Sequence, residues 1–158
     1  MKKALAMILS LVLFCSALSG CGSGVRDDVA VADISAGVAA AIGKADEMTH
    51  VNEAYIKGFM QLDPGQFGQW SVMINAYGTS ADEFGVFKAG ELDVKGVRDA
   101  VDAYLRLRLD TWMDEYMPEE KPKLSSAEIK TNGNCVMYCI LGDADKSAAF
   151  AAFDGALK

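Results

Sequence analysis

The sequence is short of the residues that most catalytic chemistry needs. It holds a single histidine, His50, with three prolines and four cysteines among 158 residues. A serine–histidine hydrolase would therefore have to use His50 itself. No Gly-x-Ser-x-Gly elbow, His-Glu-x-x-His pair or phosphate-cradling glycine loop accompanies it. Cations are also scarce, with 15 Lys plus Arg against 22 Asp plus Glu. Without Lys2 and Lys3 at the N-terminus the balance is 13 against 22, a formal charge of −9. A nucleic-acid binder needs clustered cations to neutralise phosphates, so no nucleic-acid partner is expected. Acidity of this kind keeps a surface soluble and away from anionic headgroups. Past residue 14 no apolar run approaches the length of about 20 residues that spans a bilayer.

What is present begins at the N-terminus. Lys2 and Lys3 precede an apolar stretch from Ala4 to Phe14, broken only by Ser10. It is too short to span a membrane and reads as an export signal. Leu18-Ser19-Gly20-Cys21 then matches the lipobox of bacterial lipoproteins. That resemblance implies cleavage between Gly20 and Cys21 and a diacylglycerol on the Cys21 thiol. Two or more acyl chains hold firmly where one binds marginally. The expected organisation is a signal peptide at 1–20, a flexible polar tether at 21–32 spanning about 20 Å, and one domain at 33–158.

Within that domain the periodicity changes along the chain. Ile34, Val38, Ala41 and Ile42 fall at helical spacing behind Asp33 or Ser35 as a cap, and a second short helix is expected from Glu53 to Met60. After Asp63-Pro64-Gly65 the period becomes two. Trp70, Val72, Ile74 and Ala76 share one side of a strand, with Ser71, Met73, Asn75 and Tyr77 on the other. Glu83 to Ala89 supplies a second strand. From Asp93 to Met117 an apolar stripe through Val97, Val101, Leu105, Leu109, Trp112, Met113 and Tyr116 predicts the longest helix.

Asn132-Gly133 is a two-residue hairpin signal. It predicts Thr131 opposite Asn134, Ile129 opposite Val136 and Ala127 opposite Tyr138. Lys130 with Cys135, Glu128 with Met137 and Ser126 with Cys139 then occupy the other face. A last helix is capped at Asp143 or Asp145 and carries Ala149, Phe150, Phe153 and Leu157 on one side. The order is ααββαββα. Hairpins and helices in runs, without alternation, predict an α+β fold with an antiparallel four-stranded sheet of two hairpins. The second ββα echoes the first, either as a duplication or as the common sequel to a hairpin.

Certain segments carry a family likeness. Ala41 to Met48, Tyr77 to Phe87 with Ser80-Ala81-Asp82-Glu83, Ile129 to Asn134, and Gly142 to Lys146 resemble the lipoproteins grouped as domain of unknown function 4358. The resemblance covers nearly all of the mature chain. It implies a lipid-anchored protein on the outer side of the cytoplasmic membrane, mainly in Gram-positive anaerobes, and it transfers no catalytic residue.

Candidate chemistry is sparse. His50 would lie one turn from Asp46 and Glu53 if that region is helical, an acid–base pair or weak metal site at best, and its ordinary reading is a solvated surface group. Asp143 and Asp145 are read as helix-capping residues, since the distal residues of a calcium loop are missing. Cys135 and Cys139 share one strand face about 13 Å apart, beyond the limit of about 7 Å for a disulfide. They are expected to be free, small and buried. No metal or other cofactor is expected.

Two functions are carried forward. The leading expectation is a membrane-anchored extracytoplasmic binding or accessory module, with the bilayer as partner through acylated Cys21 and an envelope protein as a second partner. The alternative is a cell-envelope hydrolase acting on wall or peptide substrates through Asp46, Glu53 or Glu128, alone or with His50. If the two later helices cover the face bearing Val136 and Tyr138, the opposite face presents Met73, Tyr77, Glu128, Cys135, Met137 and Cys139. That face is either an open contact surface or is closed by the N-terminal helices.

Overall fold

The computed structural model describes residues 24–113 and 115–158. The lipobox, with Gly20 and Cys21, lies outside the described residues. The order of elements is α1 (Val31–Ala41), β1 (Met48–His50), α2 (Glu53–Gly58), β2 (Phe67–Asn75), β3 (Glu83–Ala89), α3 (Val94–Asp110), α4 (Lys121–Ser125), β4 (Glu128–Asn132), β5 (Cys135–Ile140) and α5 (Asp143–Ala156). The fold is α+β with an antiparallel sheet of five strands, ordered β1-β2-β3-β5-β4. The strand beyond the expected four is β1. Its three residues pair with Met73 to Asn75 of β2, and so short a run has no periodicity to read.

Both faces of the sheet are covered. β5 is buried at all six positions, so each face of the central strands needs its own helices. α3 packs Val97, Val101 and Tyr104 on the face bearing Val72, Phe87, Val136, Tyr138 and Ile140, joined by Ile56 of α2 and Leu124 of α4. α1 and α5 cover the other face. They bring Ile34, Val38, Ala149 and Phe153 onto Met73, Phe84, Val86, Cys135, Met137 and Cys139. This corrects one expectation, since α5 does not share a face with α3. Of the two alternatives for the Met73–Cys139 face the closed one holds, with α1 joined there by α5. At about 25 cal/mol per Å² of apolar surface, a second covered face is a large part of what stabilises a chain of this size.

Several local readings also change. The β4–β5 register is Asn132 opposite Cys135, Thr131 opposite Val136 and Ile129 opposite Tyr138. The turn is thus Gly133-Asn134, and of these two only Gly133 has positive φ, at +56°. That is the type II′ pattern, with glycine first, in place of the Asn-Gly type I′ turn. A shift of the pairing by two leaves every side chain on its expected face. α1 starts at Val31 behind Ala30, and the Val31 amide donates to Gln69 Oε1 at 2.9 Å in place of a side-chain cap.

α3 begins as read, with Asp93 accepting from the Gly96 amide at 2.7 Å. It stops at Asp110, however, so the helical stripe breaks and Met113 and Tyr116 turn to solvent. α5 is preceded by Gly142, with Asp143 and Asp145 inside its first turn where they suit the helix dipole. Part of the segment expected as a tether is tied to the domain. The Arg26 amide donates to Leu157 O at 3.0 Å, Lys88 donates to the Asp27 carbonyl, and Val29 packs against the core.

Candidate functional site

The site is built where β3 starts beneath α3. Glu83, the first residue of β3, is 1% exposed in an otherwise apolar layer. Its Oε1 accepts from Tyr104 OH at 2.5 Å and from Tyr138 OH at 2.6 Å. Tyr138 reaches it because its partner across the β3–β5 ladder is Gly85. A Cβ on Gly85 would stand 2.4 Å from Tyr138 Cε1, so only glycine leaves the ring its path. Burial pushes the Glu83 carboxyl above the usual range, and hydrogen bonds from Tyr104 and Tyr138 with the charge of Arg108 offset only part of that rise.

Arg108 lies one helical turn beyond Tyr104, and Trp112 four residues further along. Arg108 Nε stands 3.6 Å from Glu83 Oε2, an ion pair too long for a hydrogen bond. Rings cover the guanidinium, with Phe59 centred at 5.3 Å and Trp112 at 5.0 Å. Such contacts are worth about 0.5–2 kcal/mol, more where water is excluded. Phe59 is held in turn by Tyr55, one turn earlier in the chain, with ring centroids 4.7 Å apart. Two hollows flank Arg108. One, about 250 Å³, is walled by Tyr55, Asn75, Ser80, Trp112 and Tyr116. The other, about 240 Å³, lies among Phe59, Gln61, Tyr104 and Thr111. Gln61 holds φ at +57°, a strained value for a residue other than glycine, and such residues gather at binding and catalytic sites. Arg108 Nε and Trp112 Nε1 are buried without a hydrogen-bond partner among the described residues.

One wall of the first hollow is fixed by a charge network. Asp82, 4% exposed, accepts from Lys44 at 2.5 Å and from Lys123 at 2.7 Å. Lys44 also pairs with Asp145 at 2.7 Å, and Lys123 with Glu120 at 2.7 Å. Glu120 accepts from Ser80 Oγ at 2.9 Å and from the Ala81 amide at 2.7 Å. Burial works against the charge on Lys44, but its bonds to Asp145 and Asp82 outweigh it and push its pKa up to about 12. Burial likewise opposes ionisation of Asp82 and Glu120, yet hydrogen bonds from Lys123, joined at Asp82 by Lys44, hold both below the usual carboxylate range. The network pins α4 and α5 to the β2–β3 connection beside Glu83.

The residues singled out from sequence are scattered. Met73, Cys135, Met137 and Cys139 are buried under α1 and α5, so the closed alternative holds for them and they form no exposed binding face. Both cysteines are free, and burial pushes their thiols up. Tyr77 is exposed near the β2–β3 turn, and the Glu128 carboxylate pairs with Lys146 at 3.0 Å. His50 is in a strand, so the one-turn spacing to Asp46 and Glu53 does not arise. Its Nδ1 lies 3.1 Å from Ser71 Oγ, whereas Glu53 pairs with Lys57 at 3.3 Å. Among the described residues no group of three or more His, Cys, Asp or Glu is arranged to hold a metal ion.

Sequence reasoning missed Glu83, Tyr104, Arg108, Trp112 and Tyr138 as one constellation. Two signals were available: an acid opening an apolar strand, and an arginine inside the i, i+4, i+8 stripe Tyr104, Arg108, Trp112.

Fold and cleft together define a small α+β domain whose sheet is covered on both faces, with a hollow beside a buried acid and a ring-covered arginine. The chain belongs to the family described as Domain of unknown function (DUF4358), whose model matches residues 40–141. That span runs from the end of α1 to the end of β5. It contains Lys44, Asp82, Glu83, Tyr104, Arg108, Trp112, Lys123 and Tyr138, and leaves out Asp145 and α5. No curated protein matches the chain, and no solved structure does.

Proposed function

We propose that this chain is a lipid-anchored extracytoplasmic binding module whose ligand site is the cleft around Arg108. The observation that carries the binding role is the arginine itself. It is framed by Phe59, Trp112 and Glu83, opens onto two hollows, and its terminal nitrogens donate to no described residue. Convergent polar groups in a mostly apolar hollow are what a small-ligand site requires.

The lipobox at Leu18-Ser19-Gly20-Cys21 supports the anchor. Val25 lies against Gly133, and Asp27 receives Lys88 near the far end of β3 from Glu83. Five residue steps of extended strand separate Glu83 from Lys88, about 17 Å at 3.3–3.4 Å per residue. On this reading the acylated terminus leaves from one end of the sheet and the cleft opens near the other, clear of the headgroups.

Mass spectrometry of the mature N-terminus tests the anchor. Acylated Cys21 as the first residue in the membrane fraction is expected, with attachment lost in Cys21→Ser. An unmodified terminus at any other residue in the wild type refutes it.

A further inference from the structure

The environment of Arg108 narrows what the cleft can hold. A guanidinium presents five N–H donors in a rigid fork. In this one Nε makes only the 3.6 Å ion pair with Glu83, and the terminal nitrogens donate to no described residue, although the side chain is just 16% exposed. Ring contacts at 5.3 and 5.0 Å already hold it in place, so a ligand that meets the fork does not bear the cost of ordering it. A planar pair of oxygens sharing one negative charge matches such a fork with two parallel hydrogen bonds.

The lining of the hollow sets the charge and the body of that ligand. Lys44 and Lys123 are committed to Asp82, Asp145 and Glu120, so Arg108 is the cation that remains in the walls described. With Glu83 and Asp82 close by, a dianion would meet two acids and one available cation. Two polar groups of the wall are committed as well, while Trp112 Nε1 has no partner among the described residues. Asn75 Oδ1 accepts from the Tyr77 and Thr79 amides, and Ser80 Oγ is bonded to Glu120 and Lys123. The body of a ligand would meet mainly Ile74, Ala81 and Met117 and the rings of Tyr55, Trp112 and Tyr116. The volume, about 250 Å³, falls below the range of about 300–1,000 Å³ for drug-sized ligands.

Resting on the binding reading above, we infer that the cleft takes a small monocarboxylate with an apolar or aromatic body, its carboxylate held by the Arg108 fork.

Phenylacetate, its uncharged analogue phenylacetamide, and phenyl phosphate are the probes, titrated into the purified mature chain. The indole N–H resonances of Trp112 and Trp70 report, with Trp70 as internal reference. Phenylacetate is expected to move Trp112 saturably and leave Trp70 in place, while phenylacetamide moves neither. Arg108→Lys keeps the charge and loses the fork, so affinity should fall by about tenfold or more. Tyr116→Ala alters a side chain that is 65% exposed and so spares the fold, and it should weaken binding as well. Equal affinity for phenylacetamide, or tighter binding of phenyl phosphate, overturns the monocarboxylate while leaving a ligand-binding cleft. Trp112 unmoved by all three probes overturns both the ligand class and the cleft as the site. Undiminished phenylacetate affinity in Tyr116→Ala and in folded Arg108→Lys removes the proposed contacts.

Discussion

Replacing Glu83 tests the buried centre of the site, because its consequences can be worked through atom by atom. In Glu83→Ala the hydroxyls of Tyr104 and Tyr138, 1% and 0% exposed, lose their common acceptor. An orphaned buried hydroxyl costs about 1–3 kcal/mol. The sum is reduced because the variant no longer buries a carboxyl, whose raised pKa shows that its burial is only partly compensated. The expected net loss is about 2–4 kcal/mol. Glu83→Gln keeps an acceptor for both phenols but turns an amide N–H₂ toward Arg108 Nε, donor against donor, and should cost about 1 kcal/mol.

The pH dependence has a definite sign. The folded chain holds the Glu83 proton to higher pH than the unfolded chain does, so stability falls as the pH rises from the ordinary value of 4.5 through the folded one. Glu83→Gln should remove that fall. A double-mutant cycle with Tyr104→Phe, read from urea midpoints at constant m-value, isolates the bond. Tyr104→Phe should cost about 1.5–3 kcal/mol in the wild type and nothing in Glu83→Ala, where it should stabilise by removing an orphaned hydroxyl. Equal costs in both backgrounds would refute the shared-acceptor geometry.

Two further outcomes concern the surroundings of the site. Gly85→Ala places a methyl 2.4 Å from Tyr138 Cε1 and 2.9 Å from Val72 Cγ2. It should destabilise by about 1–3 kcal/mol through overpacking, and thermal melting should show Tyr138→Phe costing less in that background than in the wild type. Because Asp82 and Glu120 are held below their ordinary values of 3.8 and 4.5, the stability they supply is full above those values and is lost as the pH falls through the lower folded ones. Urea titrations across that range should show a steeper acid loss in the wild type than in Lys123→Met, and parallel curves would count against the network.

Much of the fold was legible because single elements carried their own signals. The Asp93 cap and the Val97–Val101 stripe announce α3, and period-two alternation announces β2. The misreadings arise where neighbours decide. Thr131-Asn132-Gly133-Asn134-Cys135 contains two adjacent hairpin dipeptides, and only pairing with β5 selects Gly133-Asn134. β1 exists because β2 offers it an edge. The closed face is legible too, since the unbroken apolar run from Cys135 to Leu141 belongs to a strand buried on both sides. The cleft was the least legible part. Glu83, Tyr104, Arg108 and Tyr138 are unremarkable one by one, and only the β3–β5 register and the gap at Gly85 bring them together.

If Arg108 holds a ligand while the chain stands tethered to a membrane, purifying the protein from its native membranes, releasing whatever is bound and comparing wild type with Arg108→Gln by mass spectrometry will show it. A carboxylic acid that accompanies the wild type and is absent from an equally folded variant is the predicted result. Identical small-molecule profiles from the two proteins would contradict a ligand held by Arg108.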